Sequence, residues 1–190
     1  MLIAVEGIDG AGKSTIVKFL AEELKKLSYD VVTFKEPSDS EYGKILRSMK
    51  ERLDAEKELE LFLKDRSIDV QKNIIPALSS GKIVIMDRYY YSNIAYQAAR
   101  GLNAEIIKRE NEKIAPKPDL VILLDLDVET ALSRKESRSV FEDKEYLKKV
   151  REEFLKLKDD NIKIVDASRP VEEVKKEVLK IVTSILPKEL

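Results

Sequence analysis

Eight consecutive residues, Gly7-Ile8-Asp9-Gly10-Ala11-Gly12-Lys13-Ser14, fit the pattern G-x-x-x-x-G-K-[ST]. Glycines at these spacings let backbone N–H groups converge on phosphate oxygens. A helix starting at the lysine adds a partial positive charge at its N-terminus. Lys13 would reach the β- and γ-phosphates of a bound nucleotide, with its ammonium in solvent when no nucleotide is present. The Ser14 hydroxyl would ligate Mg²⁺. The chemistry implied is binding or transfer of a phosphoryl group. The eight residues alone leave open which triphosphate binds and what receives the group.

Other residues stand where a phosphate chemist would want them. Asp87 closes an apolar run and is followed by Arg88. A carboxylate there suits Mg²⁺ held through water, and the arginine suits an anionic substrate; the plainer role for Asp87 is to cap the next helix. Lys35-Glu36-Pro37-Ser38 follows another apolar run and reads as a loop. Phe62 and Arg66 stand four apart and share a helix face, where spacing alone favours a core aromatic and a surface charge. Asn93, Tyr96 and Gln97 face either the same crevice or the core. Asp127 is placed to cap a helix from Val128.

These residues need a frame. Short apolar runs alternate with longer helical patterns, predicting a parallel α/β sheet. The expected strands are Leu2–Glu6, Val31–Lys35, Ile83–Asp87, Leu120–Asp125 and Ile162–Asp166, each rich enough in Val, Ile and Leu to be buried on both faces. The P-loop, the 35–38 loop and Asp87-Arg88 then lie at the strand C-termini, where such sheets bind ligands. Residues 55–80 read as one long helical stretch that Pro76 interrupts and Gly81 ends. The segment 133–141 is polar and basic without apolar periodicity; it reads either as a solvated loop or as a lid over phosphates. Phe141-Glu142 begins a further helix. A last helix from Val171 to Leu186 is entered through Pro170. With no linker or repeat, residues 1–190 read as a single domain.

Composition narrows the chemistry. The 190 residues contain no Cys and no His. That removes thiolate zinc sites, disulfides and the usual general base; phosphoryl transfer needs mainly positioning and charge stabilisation. A net charge of −1 gives no global basic field for nucleic acid. No long apolar run suggests a membrane span. A chain opening directly on a strand carries no signal peptide, which makes the cytoplasm the expected location. The charged fraction of 37%, rich in Lys and Glu, resembles hyperthermophile composition.

Several stretches together resemble thymidylate kinase, of the nucleoside-monophosphate kinase superfamily. They are Val5 to Ser14, Lys35-Glu36-Pro37, Leu61 to Arg66, Asp87-Arg88-Tyr89, Ala95-Tyr96-Gln97, Pro118-Asp119-Leu120 and Asp125-Leu126-Asp127. They occur in the family's order and spacing, and the resemblance extends over nearly the whole chain. The resemblance implies a P-loop NTPase-type three-layer fold with a five-stranded parallel sheet flanked by helices. It implies a homodimer, ATP as donor, dTMP as acceptor and Mg²⁺ as cofactor. The ATP cradle would be Gly7, Ile8, Asp9, Gly10, Ala11, Gly12, Lys13, Ser14 and Thr15, with Arg134 against adenine. Phe62 would stack on thymine, Arg66 and Asn93 would contact it, and Tyr96 would crowd the ribose 2′ position. Glu36 and Gln97 complete the expected dTMP contacts, and Arg88 would hold the monophosphate. Ser14, Asp87, Asp9 and Glu142 would surround the metal. Lys13, Asp9, Arg88 and Arg138 would be catalytic. Some members of that family carry an arginine in the P-loop where this chain has Gly10, so a lid arginine, Arg138, is expected to take its place. The loop usually written Arg-Glu-Pro-Gly-Gly-Thr is here Lys35-Glu36-Pro37-Ser38-Asp39-Ser40.

Two rivals remain at the level of sequence. One is another small-molecule P-loop kinase with different base specificity. The other is a GTP-dependent switch, which lacks support because neither a guanine-reading Asn-Lys-x-Asp nor an Asp-x-x-Gly after the third strand occurs.

Overall fold

The computed structural model describes residues 1–135 and 143–186. Five strands occupy the positions expected from the apolar runs: β1 Leu2–Glu6, β2 Val31–Lys35, β3 Ile83–Asp87, β4 Leu120–Asp125 and β5 Ile162–Asp166. All pair in parallel in the order β2-β3-β1-β4-β5. The register sets Val5 and Lys35 level with Asp87. The turns that follow β1, β2 and β3 therefore open on one edge of the sheet.

The strands are not all buried on both faces. β1 and β3 are buried throughout, and β4 up to its last residue. β2 and β5 lie at the sheet edges, and several of their residues are exposed or half-buried. Only the three central strands have neighbours on both sides.

Helix α1 (Lys13–Lys26) packs on β1, β2 and β3 and against α9 (Val171–Ile185). Helices α3 (Ala55–Asp69), α6 (Ala104–Glu112) and α8 (Lys144–Lys156) each pack against α5 (Tyr90–Ala98) and form a second group. Short helices α2 (Glu41–Ser48) and α7 (Val128–Ser133) complete the frame. Asp127 caps α7 as expected, accepting from the Thr130 N–H at 2.7 Å. The long stretch from residue 55 is interrupted ahead of Pro76 rather than at it. A π turn at Val70–Ile74 separates α3 from α4 (Ile75–Ser79). Pro76 then sits in the first turn of α4, where no N–H is needed.

Candidate active site

The edge formed by the β1, β2 and β3 turns opens into a cleft of about 940 Å³. Its first end is the P-loop. Gly12 precedes α1 in the left-handed region (φ 94°), and no side chain caps that helix. The N–H groups of the first turn are thereby left for an external anion. Gly7 is equally constrained: at φ 141° any Cβ would press on the Leu124 carbonyl at 2.6 Å.

Lys13 is not solvated. It is 6% exposed, and its ammonium donates to the Ile8 carbonyl at 2.9 Å. Burial lowers its pKa to about 7, assisted by the Arg88 charge and opposed by Asp9, Asp87 and Glu6. The α1 backbone tucks the side chain beneath the loop, where water is scarce.

Asp87 does not cap α5, and the residue before that helix, Tyr89, makes no side-chain cap of its own. Asp87 instead accepts the Ser14 hydroxyl at 2.5 Å, with Lys35 Nζ at 3.8 Å. Asp9 stands 3.9 Å from Lys13, is hydrogen-bonded by Arg88 Nη2, and lies 3.8 Å from Lys135. Among the described residues no three His, Cys, Asp or Glu side chains gather as a ready-made metal cage. A serine hydroxyl with one or two carboxylates is still a donor set that fits Mg²⁺, which keeps waters and takes substrate phosphates as ligands.

Arg88 occupies the middle of the cleft. Its backbone is left-handed (φ 71°), unusual for a residue with a side chain. Its guanidinium donates to Gly7 O at 3.1 Å, Ser92 Oγ at 2.9 Å and Asp9, and lies over the Tyr96 ring. Burial works against its charge, but Tyr96, Asp9 and Glu6 hold it firmly protonated.

Glu6 shapes this turn from below. Fully buried, its carboxylate accepts from the Tyr89 N–H at 2.8 Å, the Ser92 N–H at 3.2 Å and the Ser92 hydroxyl. A strand residue thus serves as N-cap to α5. The sequence signal for this role is an acidic residue ending an otherwise apolar strand.

The far end of the cleft is built on α3. Arg66 is 2% exposed, not a surface charge. Its guanidinium lies along the Glu36 carboxylate, and Nη1 donates to Asn93 Oδ1 at 3.2 Å and to Asn111. Burial pushes Glu36 up to about 7 against the pull of Arg66. Asn111 also donates to Asn93 Oδ1 at 3.1 Å. Two donors on that oxygen fix the amide orientation and leave Asn93 Nδ2 buried without a protein partner. Phe62, Arg66, Asp69 and Asn73 line the cleft from this one helical stretch, with Asn93 and Tyr96 on α5. Asn111 was invisible in the sequence, set in a charged helix with no distinguishing pattern.

The loop after β2 is fastened by its serines. Asp65 accepts from the Ser38 N–H at 2.8 Å, the Ser38 hydroxyl and the Ser40 hydroxyl at 2.6 Å. Arg47 donates to the Pro37 carbonyl at 2.6 Å. All three tyrosines of the run are buried in the core, and Tyr89 also borders the cleft.

Not every expected contact reaches the cleft. Gln97 is fully buried behind it and donates to Glu58 at 3.2 Å. Ile8 and Ala11 turn their side chains into the core. A second recess of about 310 Å³ lies beside α1, lined by Gly12, Thr15, Arg134, Ala167 and Arg169 among others. Arg134 donates there to the Ala167 carbonyl at 3.2 Å. Arg138, Glu142 and most of the lid segment 133–141 lie outside the described residues. No helix among the described residues is long and apolar enough to cross a membrane.

Comparison with known proteins gives one family. The thymidylate kinase family model matches residues 5–178. A probable thymidylate kinase of Archaeoglobus fulgidus is 59% identical over 189 residues, covering 98% of this chain and 96% of the relative. A probable thymidylate kinase of Thermococcus onnurineus is 45% identical over 199 residues, covering 96% and 97%. A thymidylate kinase of Desulfotalea psychrophila is 40% identical over 193 residues, covering 97% and 95%.

Proposed function

The chain belongs to the thymidylate kinase family, and from that premise we propose how its cleft transfers the γ-phosphoryl group of ATP to thymidine monophosphate. The products are ADP and thymidine diphosphate. One observation carries the reading. A phosphate cradle and a buried amide–guanidinium cluster face one another across a single cleft, with Arg88 between them.

The P-loop N–H groups and Lys13 bind the β- and γ-phosphates. Arg134 and the recess beside Thr15 take the adenine. Phe62 stacks on the thymine ring, and Asn93 Nδ2 donates to one of its carbonyls. Arg66 donates to the base while Glu36 keeps its plane fixed. Tyr96 fills the space of a 2′-hydroxyl. Arg88 holds the acceptor phosphate, whose oxygen attacks the γ-phosphorus as the bond to the ADP oxygen breaks. That oxygen is already ionised, so no general base is required and the absence of histidine costs nothing. Ser14, Asp87 and Asp9 would hold Mg²⁺, which supplies neutralising charge to the phosphates. The enzyme works as a cytoplasmic homodimer.

A coupled assay of phosphoryl transfer from ATP to a panel of nucleoside monophosphates tests this. Thymidine monophosphate should be the best acceptor. Equal or faster use of adenylate or cytidylate, or no transfer at all, would overturn it.

A further inference from the structure

Asn111 on α6 reaches the cleft only through other side chains, and we infer that it is a positioning residue for the acceptor base. Acting through Asn93, it sets the site to meet a carbonyl rather than an amino group at ring position 4 of a pyrimidine. The inference rests on the kinase reading above and adds a residue to it.

Asn111 is fully buried, while its partners Arg66 and Asn93 line the cleft. Its Nδ2 donates to the Ile107 carbonyl at 2.9 Å and to Asn93 Oδ1 at 3.1 Å. Its Oδ1 accepts from Arg66 Nη1. A backbone carbonyl can only accept. Turning the Asn111 amide over would set its oxygen against two acceptors, Ile107 O and Asn93 Oδ1, and its amino group against the Arg66 cation. The Ile107 carbonyl thus fixes the polarity of Asn111.

Asn93 inherits that polarity. Its Oδ1 faces two donors, Asn111 Nδ2 and, at 3.2 Å, Arg66 Nη1. Arg66 has little left to give, because Nε and Nη2 go to Glu36 and Nη1 is divided between the two asparagines. Asn93 Nδ2 is then a buried donor without a protein partner, which is costly until an acceptor arrives. A carbonyl at ring position 4, as in thymine, supplies one. Cytosine carries an amino group there and would set donor against donor. Asn93 turned over would reverse that preference, and Asn111 is the residue that opposes the turn.

The readout is the ratio of kcat/KM for thymidine monophosphate over deoxycytidine monophosphate. Asn111→Asp puts an acceptor where Asn93 Oδ1 now meets a donor, and the ratio should fall about tenfold. Asn111→Leu removes the polarity at similar volume and adds no buried charge, so it serves if the first variant does not fold; the ratio should fall about threefold or more. The ATP KM should stay within about twofold in both. In an Asn93→Ala background, Asn111→Leu should leave the ratio where Asn93→Ala put it, since Asn111 acts through that amide. A purely structural role would lower turnover with both acceptors alike and leave the ratio unchanged, and that result would overturn the inference alone. A wild type that transfers to neither acceptor would remove the kinase reading and this inference with it.

Discussion

Arg66 lays its guanidinium along the Glu36 carboxylate, with both side chains 3% exposed or less. The two are 30 residues apart in sequence, and the pair ties α3 to the loop after β2. A substitution at either residue therefore acts on the fold as well as on the substrate.

Arg66→Ala should raise the KM for thymidine monophosphate about tenfold or more, since losing a buried polar partner costs about 1–3 kcal/mol. The ATP KM should stay nearly constant. The variant should also lose about 3–5 kcal/mol of stability, because Glu36 loses its counterion and hydrogen-bond donors and must take up a proton to stay buried. Adding Glu36→Gln should return part of that loss. Urea denaturation of the single and double variants checks it; equal midpoints would show that Glu36 is not destabilised when alone.

Lys13, with its pKa near 7 in the free protein, should bind ATP with proton uptake. At pH 8 the free amine is mostly neutral, and the triphosphate draws it back to the ammonium. Calorimetry at pH 8 in two buffers of different ionisation enthalpy should show uptake approaching one proton. Lys13→Arg, always charged, should show none. The same shift sets a sign for stability. The unfolded chain holds this proton up to about pH 10.4, the folded chain only to about 7. The penalty on folding is full below pH 7 and fades as pH rises toward 10. Lys13→Met should therefore be at least as stable as wild type at pH 6, with the margin shrinking at higher pH, while turnover is nearly abolished. A margin that widens with pH would contradict the buried placement.

Tyr96 packs edge-on against Tyr146 and Phe154, and its hydroxyl lies 3.4 Å from Arg88. Its ring is held from behind, so it does not yield to an extra hydroxyl on a sugar. Tyr96→Phe or a smaller residue should raise use of a ribonucleotide relative to its deoxy form, by about tenfold for the smaller variant. The ratio of kcat/KM for dUMP and UMP reports it. An unchanged ratio would make Tyr96 a packing residue.

Glu6 supplies the cap that α5 lacks in its own sequence. Glu6→Ala strands two buried N–H groups and should cost about 3 kcal/mol or more. Glu6→Gln keeps an acceptor and should cost less. Both should disturb Arg88 through Ser92, which bonds to each, so the KM for thymidine monophosphate should rise even in the milder variant. Wild-type stability in Glu6→Ala would refute the capping role.

Sequence alone determined what is local. Each strand is a short run rich in Val, Ile and Leu, so the bounds of all five could be read directly, from Leu2–Glu6 to Ile162–Asp166, though only β1, β3 and β4 are buried along nearly their whole length. The P-loop pattern and the Asp127 cap span a few residues, and their hydrogen bonds close within one turn. The tertiary structure decided which distant groups meet. The order β2-β3-β1-β4-β5 sets β1 beside β3, and only that adjacency gives Glu6 to α5, Asp87 to Ser14 and Arg88 to Asp9. Spacing alone reads Arg66 as a surface charge, because no spacing rule reaches Glu36 or Asn111. Periodicity leaves Gln97 between crevice and core, because it fixes a helix face but not what that face meets, which here is Glu58.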